Sequence, residues 1–174
     1  SPRPIPATTT GVDVCQTIAV TGVTFFVSVE AEISTNHTWV GDLTLVLTKV
    51  ASSSVPLERR GNASGTLTLL NRPGRTGFGS GNDDDFRGVF PVLFSDNAPS
   101  TRFAETLGDP PCDDVIDGSP DCPNNYRPSP DTLDSPFPGL GTDLSSAFSG
   151  LNATGNWTLC VGDSGNGGQG TLLS

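Results

Sequence analysis

Three kinds of side chain in this sequence could together carry out acyl transfer. Residues 162–165 read Gly-Asp-Ser-Gly, which places Ser164 on a glycine-flanked stretch beside a carboxylate. The single histidine, His37, lies upstream, and aspartates lie between the two. His…Asp…Ser is one chain order in which serine proteases supply a base, an orienting carboxylate and a nucleophile. The same tetrapeptide is equally suited to a surface turn, because Gly, Asp and Ser all favour turns.

The turn interpretation of Ser164 is the stronger of the two. A catalytic serine needs a histidine within hydrogen-bond reach, a carboxylate that orients it, and an oxyanion hole. His37 stands in the segment NHTW at the start of a predicted strand, and no Gly-x-Ser-x-Gly motif offers another nucleophile. Gly, Asp and Ser are so frequent here that their tetrapeptide arises readily by coincidence. We therefore expect a turn at Ser164 and no catalytic residue.

Consecutive aspartates point to a different chemistry. The segment GNDDDFRG supplies three carboxylates, Asp83, Asp84 and Asp85, between glycines that let the backbone curl. Ca²⁺ takes six to eight oxygen ligands from carboxylates and carbonyls on such loops. Glycosidases also use paired carboxylates, but on opposite sides of a cleft rather than in one run. The sequence predicts a calcium loop at residues 83–85, with a solvated acidic turn as the alternative.

The overall charge and composition limit the classes of partner. Nineteen acidic residues against nine basic ones give a formal net charge of −10, which disfavours nucleic acid because few cations are available to neutralise phosphates. No run of apolar residues is long enough to span a bilayer. The length fits one domain, residues 1–174, with residues 1–10 as an N-terminal linker.

Short runs of alternating polarity, separated by Gly, Pro, Asn and Asp, dominate the chain and predict strands. The clearest are DLTLVLTKV, with Leu43, Leu45 and Leu47 on one side, and NWTLCVGD, with Trp157 and Leu159 on one side. No segment predicts a helix of about ten residues. The pattern favours an all-β sandwich or jelly roll of about eight strands. The strand-like segments are QTIAV, VTFFVSVEAEI, DLTLVLTKV, SGTLTLL, VFPVLFSD and NWTLCVGD.

Residues 105–147 break this pattern and predict a long acidic, proline-rich loop inserted in the sandwich. Cys112 and Cys122 lie within it, and a disulfide between them would tether the loop. That would leave Cys15 and Cys160 to join an early strand to a late one. Four cysteines permit three pairings, and the spacing leaves the other two open. Disulfides indicate an oxidising, extracytoplasmic compartment and hence a secreted protein.

Four segments, in order, resemble landmarks of the P domain (Homo B domain) of proprotein convertases and secreted bacterial subtilisin-like peptidases. They are HTWVGDLTLVLT at 37–48, LLNRPG at 69–74, SGNDDDF with LFSDNAP at 80–99, and LSSAFSGLNATGNWTLCVGDSGNGGQGTL at 144–172. The match extends over about residues 10–174. Each segment alone is weakly specific, and their order and spacing together make the resemblance specific.

The resemblance implies a jelly-roll sandwich without catalytic residues, one that follows a peptidase domain and stabilises it, regulates it or helps it bind substrate. It also implies bound Ca²⁺, and it places Asp96 at the same end of the sandwich as the loop 83–85. Asp163 is expected in a turn, where its carboxylate either accepts backbone N–H groups or joins the calcium ligands. The implied partner is the attached peptidase.

The surroundings of Trp39 would distinguish between two interpretations of the function. Core packing is the default for Trp39 and Trp157, because both lie on predicted strands. An exposed Trp39, beside Asn36 and His37, would instead offer a contact surface for a carbohydrate or a peptide. The alternative function is therefore a stand-alone adhesion or ligand-binding module.

Overall fold

The structure is a computed structural model that describes residues 1–6, 14–22, 28–49, 65–73, 85–99, 104, 124–128, 143–165 and 169–173. These residues form ten strands and one short helix, which confirms the all-β prediction. The predicted eight strands were too few, because several strands are only two or three residues long. The elements are β1 (Arg3–Ile5), β2 (Val14–Val20), β3 (Glu30–Ile33), β4 (Thr35–His37), β5 (Leu43–Lys49), β6 (Gly65–Asn71), β7 (Val92–Ser95), β8 (Asn125–Tyr126), α1 (Leu144–Phe148), β9 (Gly155–Asp163) and β10 (Gly170–Leu172).

The largest sheet is antiparallel and has the strand order β2-β9-β5-β6. The two segments with the clearest alternation, β5 and β9, are its central strands and pair with each other, with Leu45 opposite Val161. Both of these side chains are buried. Thr44 and Val46, on the other parity of β5, are buried too, as expected for a central strand covered on both faces.

A second sheet has the order β3-β7-β8, and a third has the order β1-β10-β4. Pro91 immediately precedes β7, a position where the missing N–H costs no ladder hydrogen bond. Strand β1 lies inside the segment predicted as a linker and pairs with β10. Strand β8 lies inside the segment predicted as a loop and pairs in parallel with β7.

Side chains from all three sheets share one hydrophobic core, so the described strands form a sandwich-like unit. The third sheet contributes Ile5 and Leu172, and the second contributes Phe94 and Tyr126. The largest wholly buried side chains of the core are Tyr126, Phe94, Phe148, Leu43, Leu45, Leu67, Leu69, Leu70, Leu144 and Leu172.

A disulfide joins Cys15 of β2 to Cys160 of β9, as predicted. The two cysteines are direct cross-strand neighbours in the β2–β9 ladder. The link closes a long loop, with a sequence separation of 145 residues. Cys112 and Cys122 lie outside the described residues, so their pairing stays a prediction.

The short helix α1 is held at its N-terminus by two aspartates. The Asp143 carboxylate accepts the N–H of Ser146 at 2.6 Å, and the hydrogen bonds at this cap lower the pKa of Asp143. The Asp96 carboxylate accepts the N–H groups of Leu144 and Ser145, both at 2.8 Å. These N–H groups have no partner within the helix, and the two side chains replace it. No helix in the described part of the chain is long and apolar enough to cross a membrane.

Candidate functional site

The strand pairing brings together three polar residues, of which the sequence analysis singled out His37 and Asp163. His37 ends β4, Asp163 ends β9, and Asp42 closes a 3-10 turn, Val40–Asp42, just before β5. Because Leu43 lies opposite Asp163 in the β5–β9 ladder, Asp42 comes next to the end of β9. The N–H of Ser164 donates to the Asp42 carbonyl at 2.9 Å, which fixes the two segments at that point.

His37 and Asp163 form a wholly buried pair. Nε2 of His37 lies 3.2 Å from Oδ2 of Asp163, and both side chains have 0% relative exposure. The other carboxylate oxygen of Asp163 accepts the N–H of Gly165 at 2.8 Å. Nδ1 of His37 lies 2.9 Å from the carbonyl oxygen and 3.1 Å from the nitrogen of Trp39. With Nε2 donating to the carboxylate, neutral His37 accepts the Trp39 N–H at Nδ1, and protonated His37 donates to the carbonyl.

Two glycines make room for this cluster. A Cβ at Gly170 would collide with the imidazole of His37, which lies directly opposite in the β4–β10 pair. A Cβ at Gly165 would collide with the carboxylate of Asp42. The absence of a side chain at Gly165 and at Gly170 therefore has a packing reason.

The carboxyl group of Asp42 has a raised pKa. Burial raises the pKa of its carboxyl, and the nearby negative charge of Asp163 raises it further. Arg72 and His37 act in the opposite direction, with Nη2 of Arg72 lying 3.6 Å from Oδ1 of Asp42. Arg72 follows β6 in a left-handed backbone conformation, φ 49°, and its N–H donates to the carbonyl of Leu43.

The raised pKa of Asp42 predicts a specific pH dependence for Asp42→Asn. The folded state holds the proton of Asp42 more tightly than the unfolded state, so wild-type stability falls as the pH rises from the unfolded value of 3.8 through the folded pKa. The asparagine variant has no carboxyl group to ionise at this position, so it does not lose stability in this way. In urea unfolding from about pH 4 to 7, the stability difference should shift in favour of the variant as the pH rises.

Asp143→Asn is the matched control, because its pKa is lowered rather than raised. The contribution of the Asp143 carboxylate is present above the unfolded pKa and is lost as the pH falls. From about pH 4 to 7 its stability difference should therefore change little, and below that range it should change with pH in the opposite direction. Parallel profiles for the two variants would contradict the assignment.

Ser164 does not join His37 in a hydrogen bond within the described structure. Both ring nitrogens of His37 are engaged, one with Asp163 and one with the backbone of Trp39. The backbone of Ser164, rather than its hydroxyl, is the part that contacts the cluster. The arrangement brings the aspartate and histidine together as a buried pair, without the serine that acyl transfer needs.

Three of the carboxylates predicted to bind calcium, Asp85, Asp96 and Asp163, have different surroundings. Oδ2 of Asp85 lies 3.9 Å from Nη2 of Arg87, Asp96 caps α1, and Asp163 contacts His37. Both oxygens of Asp96 and of Asp163 accept internal hydrogen bonds or ion-pair contacts. Across the described ranges, no three His, Cys, Asp or Glu side chains form a group that could hold a metal ion. Asp83 and Asp84 lie outside the described residues, so the calcium site stays a prediction.

The two tryptophans have different surroundings. Trp157 packs on Phe148, with ring centroids 5.0 Å apart, and its Nε1–H donates to the Ala153 carbonyl at 2.9 Å. The ammonium of Lys49 lies 5.8 Å from the Trp157 ring centroid, and burial lowers the pKa of Lys49. Trp39 has 37% of its surface exposed, which leaves it available as a ligand contact.

An apolar cleft of about 360 Å³ was missed by the sequence analysis. It lies between β3 and the face of β2 and β9, and its lining includes Ile18 and Trp157. Ile18 stands in the predicted strand QTIAV, but only the pairing of β2 with β9 shows that it borders a cleft. An exposed isoleucine within a strand is a weak signal, because single exposed apolar side chains are common.

Comparison with protein-family models, with curated proteins and with solved structures finds no match to this chain. The resemblance to the P domain therefore stays a prediction.

Proposed function

We propose that this chain is a non-catalytic extracellular module of the P-domain type, a jelly-roll sandwich that stabilises or regulates an attached peptidase. The observation that carries the proposal is the cluster of His37, Asp42 and Asp163. These residues come from two of the segments that carry the resemblance, within the stretches HTWVGDL and WTLCVGD. The first stretch leads into β5 and the second lies in β9, and the pairing of β5 with β9 lets their polar residues meet in the interior.

This geometry supports a structural role for the residues that could otherwise do chemistry. The ring nitrogens of His37 and the carboxylate oxygens of Asp163 all face partners inside the fold. A general base must reach a proton on the substrate or the nucleophile, and a side chain with 0% exposure reaches neither. The contact between His37 and Asp163 instead links β4, and the strand β10 that pairs with it, to the end of β9. It thereby connects two different sheets.

The extracellular assignment is supported by the cross-strand disulfide, since disulfides persist in oxidising compartments. We propose that calcium, if bound, is bound by the acidic run Asp83–Asp85.

Calcium that binds only the folded chain should raise the melting temperature. At a hundredfold excess over Kd the gain is about 2.7 kcal/mol. Melting curves in EDTA and in millimolar Ca²⁺, for the chain and for an Asp83→Asn/Asp84→Asn variant, measure it. A melting temperature that is the same in EDTA and in Ca²⁺ would contradict calcium binding without bearing on the cluster.

The second candidate function is a binding module, favoured by two observations. Trp39 is partly exposed, and the cleft beside β3 is lined mainly by apolar side chains. Small-ligand sites have this character, with a few polar groups on an apolar lining.

Two experiments test the proposed function. Treatment with a fluorophosphonate probe, with trypsin as the positive control, should leave the chain unlabelled. Labelling that Ser164→Ala abolishes would contradict a non-catalytic module.

Thermal inactivation of the parent peptidase should be faster when residues 1–174 are deleted. An unchanged half-life would contradict the stabilising role and favour the binding module.

A further inference from the structure

The apolar cleft has a floor made by one face of a sheet. From β2 every second residue lines it, namely Gln16, Ile18 and Val20, and from β9 so do Trp157 and Leu159. Because strand side chains alternate between faces, these residues share one face of the β2–β9 pair. The floor is partly open to solvent, since Ile18 is 60% exposed.

Strand β3 lines the cleft in a different way. Consecutive residues, 28–33, all border the cleft. Alternate side chains of one strand cannot all point to one face, so it is the main-chain edge of β3 that borders the cleft. Strand β3 is the end strand of the order β3-β7-β8, and no strand within the described ranges pairs with its outer edge. Such an edge presents main-chain N–H and C=O groups that a further strand can pair with.

Among the described residues that line the cleft, the charged side chains have one sign. Glu30 and Glu32 are exposed on β3, and they alternate with Ala31 and Ile33, which are less exposed. The Glu30 carboxylate accepts the hydroxyl proton of Ser95 at 2.8 Å, which holds it in place. A strand added beside β3 would place alternate side chains next to these carboxylates, where Lys or Arg is favoured. Its other side chains would face the apolar floor.

A buried acceptor lies in the same lining. Oε1 of Gln16 is buried and has no hydrogen-bond partner among the described residues. A buried acceptor without a partner is unfavourable, and a donor on a bound molecule would satisfy it.

We propose that the cleft binds an extended peptide in which apolar and basic residues alternate, added as a further strand to the outer edge of β3. Main-chain hydrogen bonds to β3 give affinity, and the alternation of side chains gives specificity. The apolar side chains cover Ile18 and Trp157, and the basic ones pair with Glu30 and Glu32. The cleft volume of about 360 Å³ accommodates the apolar side chains of such a segment. This proposal does not depend on the P-domain assignment.

The test uses a capped peptide of about nine residues that alternates valine with lysine. The control peptide has the same composition with the valines and lysines in two blocks. Amide NMR spectra of the full chain should show saturable shifts and slower exchange for β3, and Trp157 fluorescence in a Trp39→Phe background should titrate in parallel. The block peptide should bind at least roughly tenfold more weakly.

Matched variants test the two halves of the recognition. Ile18→Asn and Glu32→Lys, both at exposed positions, should each weaken binding roughly tenfold or more. Val89→Asn and Ala19→Lys change exposed side chains that do not line the cleft, and they should leave the affinity unchanged. Thermal melts confirm that each variant folds.

Three results would overturn the proposal: the absence of saturable binding, equal binding of the block peptide, or protection from exchange in the free chain of those β3 amides that point away from β7. The last of these would mean that the edge is already paired.

Discussion

Replacing His37 with leucine should destabilise the chain by about 3–5 kcal/mol, the cost of leaving a buried charge without its partner. Asp163 is wholly buried, and His37 is the group that contacts its Oδ2. Leucine fills much of the volume but donates no hydrogen bond to the carboxylate. Urea unfolding at pH 7, followed by tryptophan fluorescence, measures the loss.

His37→Gln is the matched control for this prediction. Its side-chain amide can donate to Asp163 from nearly the position of Nε2, so it should recover a substantial part of the lost stability. A loss for glutamine equal to that for leucine would indicate that the shape of the ring, rather than the contact with Asp163, matters at this position.

Removing the cross-strand disulfide should have an effect of similar size. A link between residues 145 apart restricts the unfolded chain, and loop-closure entropy gives about 5 kcal/mol for it, while measured losses for native disulfides fall in the range of roughly 2–5 kcal/mol. The double variant Cys15→Ala/Cys160→Ala tests this link without reducing other cysteines. Differential scanning calorimetry and urea unfolding both report the loss.

The same ladder contains a non-covalent pair that serves as the control. Thr17 lies opposite Thr158, and each threonine is two residues from the cysteine of its own strand. Their hydroxyl oxygens are 2.9 Å apart. Thr17→Ala/Thr158→Ala removes that exposed contact and should cost less than about 1 kcal/mol. Equal losses for the two double variants would mean that the strand pairing, rather than the covalent link, accounts for the stability.

The alternation of polar and apolar residues in the sequence was sufficient to predict the long strands. Segments β5 and β9 have seven and nine residues, enough for alternation to be visible, and both were predicted. Strands β1 and β8 have three and two residues, which is too short for a period to be read. Both are stabilised by distant partners, β10 and β7, and no local preference indicates such pairing.

The candidate site was predictable in its members but not in its contacts. The sequence singled out His37, Ser164 and Asp163, and assigned Asp163 to a turn or to calcium. Asp163 ends β9 rather than lying in a turn, and its carboxylate accepts the Gly165 N–H, a type of contact that was expected for it. The contact with His37 joins residues 126 apart and depends on the registers of β5 with β9 and of β4 with β10. Arg72 was missed because it lies beyond the end of β6, in the segment LLNRPG, which the sequence analysis used only as part of the resemblance.

The central claim is that the histidine and aspartate of an apparent catalytic set act as a structural joint. A double-mutant cycle on unfolding free energies tests it most directly, with His37→Leu, Asp163→Asn and Ser164→Ala combined in pairs. The structure predicts a coupling of at least about 1 kcal/mol between His37 and Asp163, and coupling of Ser164 to either within about 0.5 kcal/mol. Additive effects of His37 and Asp163, or a strong coupling of Ser164 to His37, would contradict it.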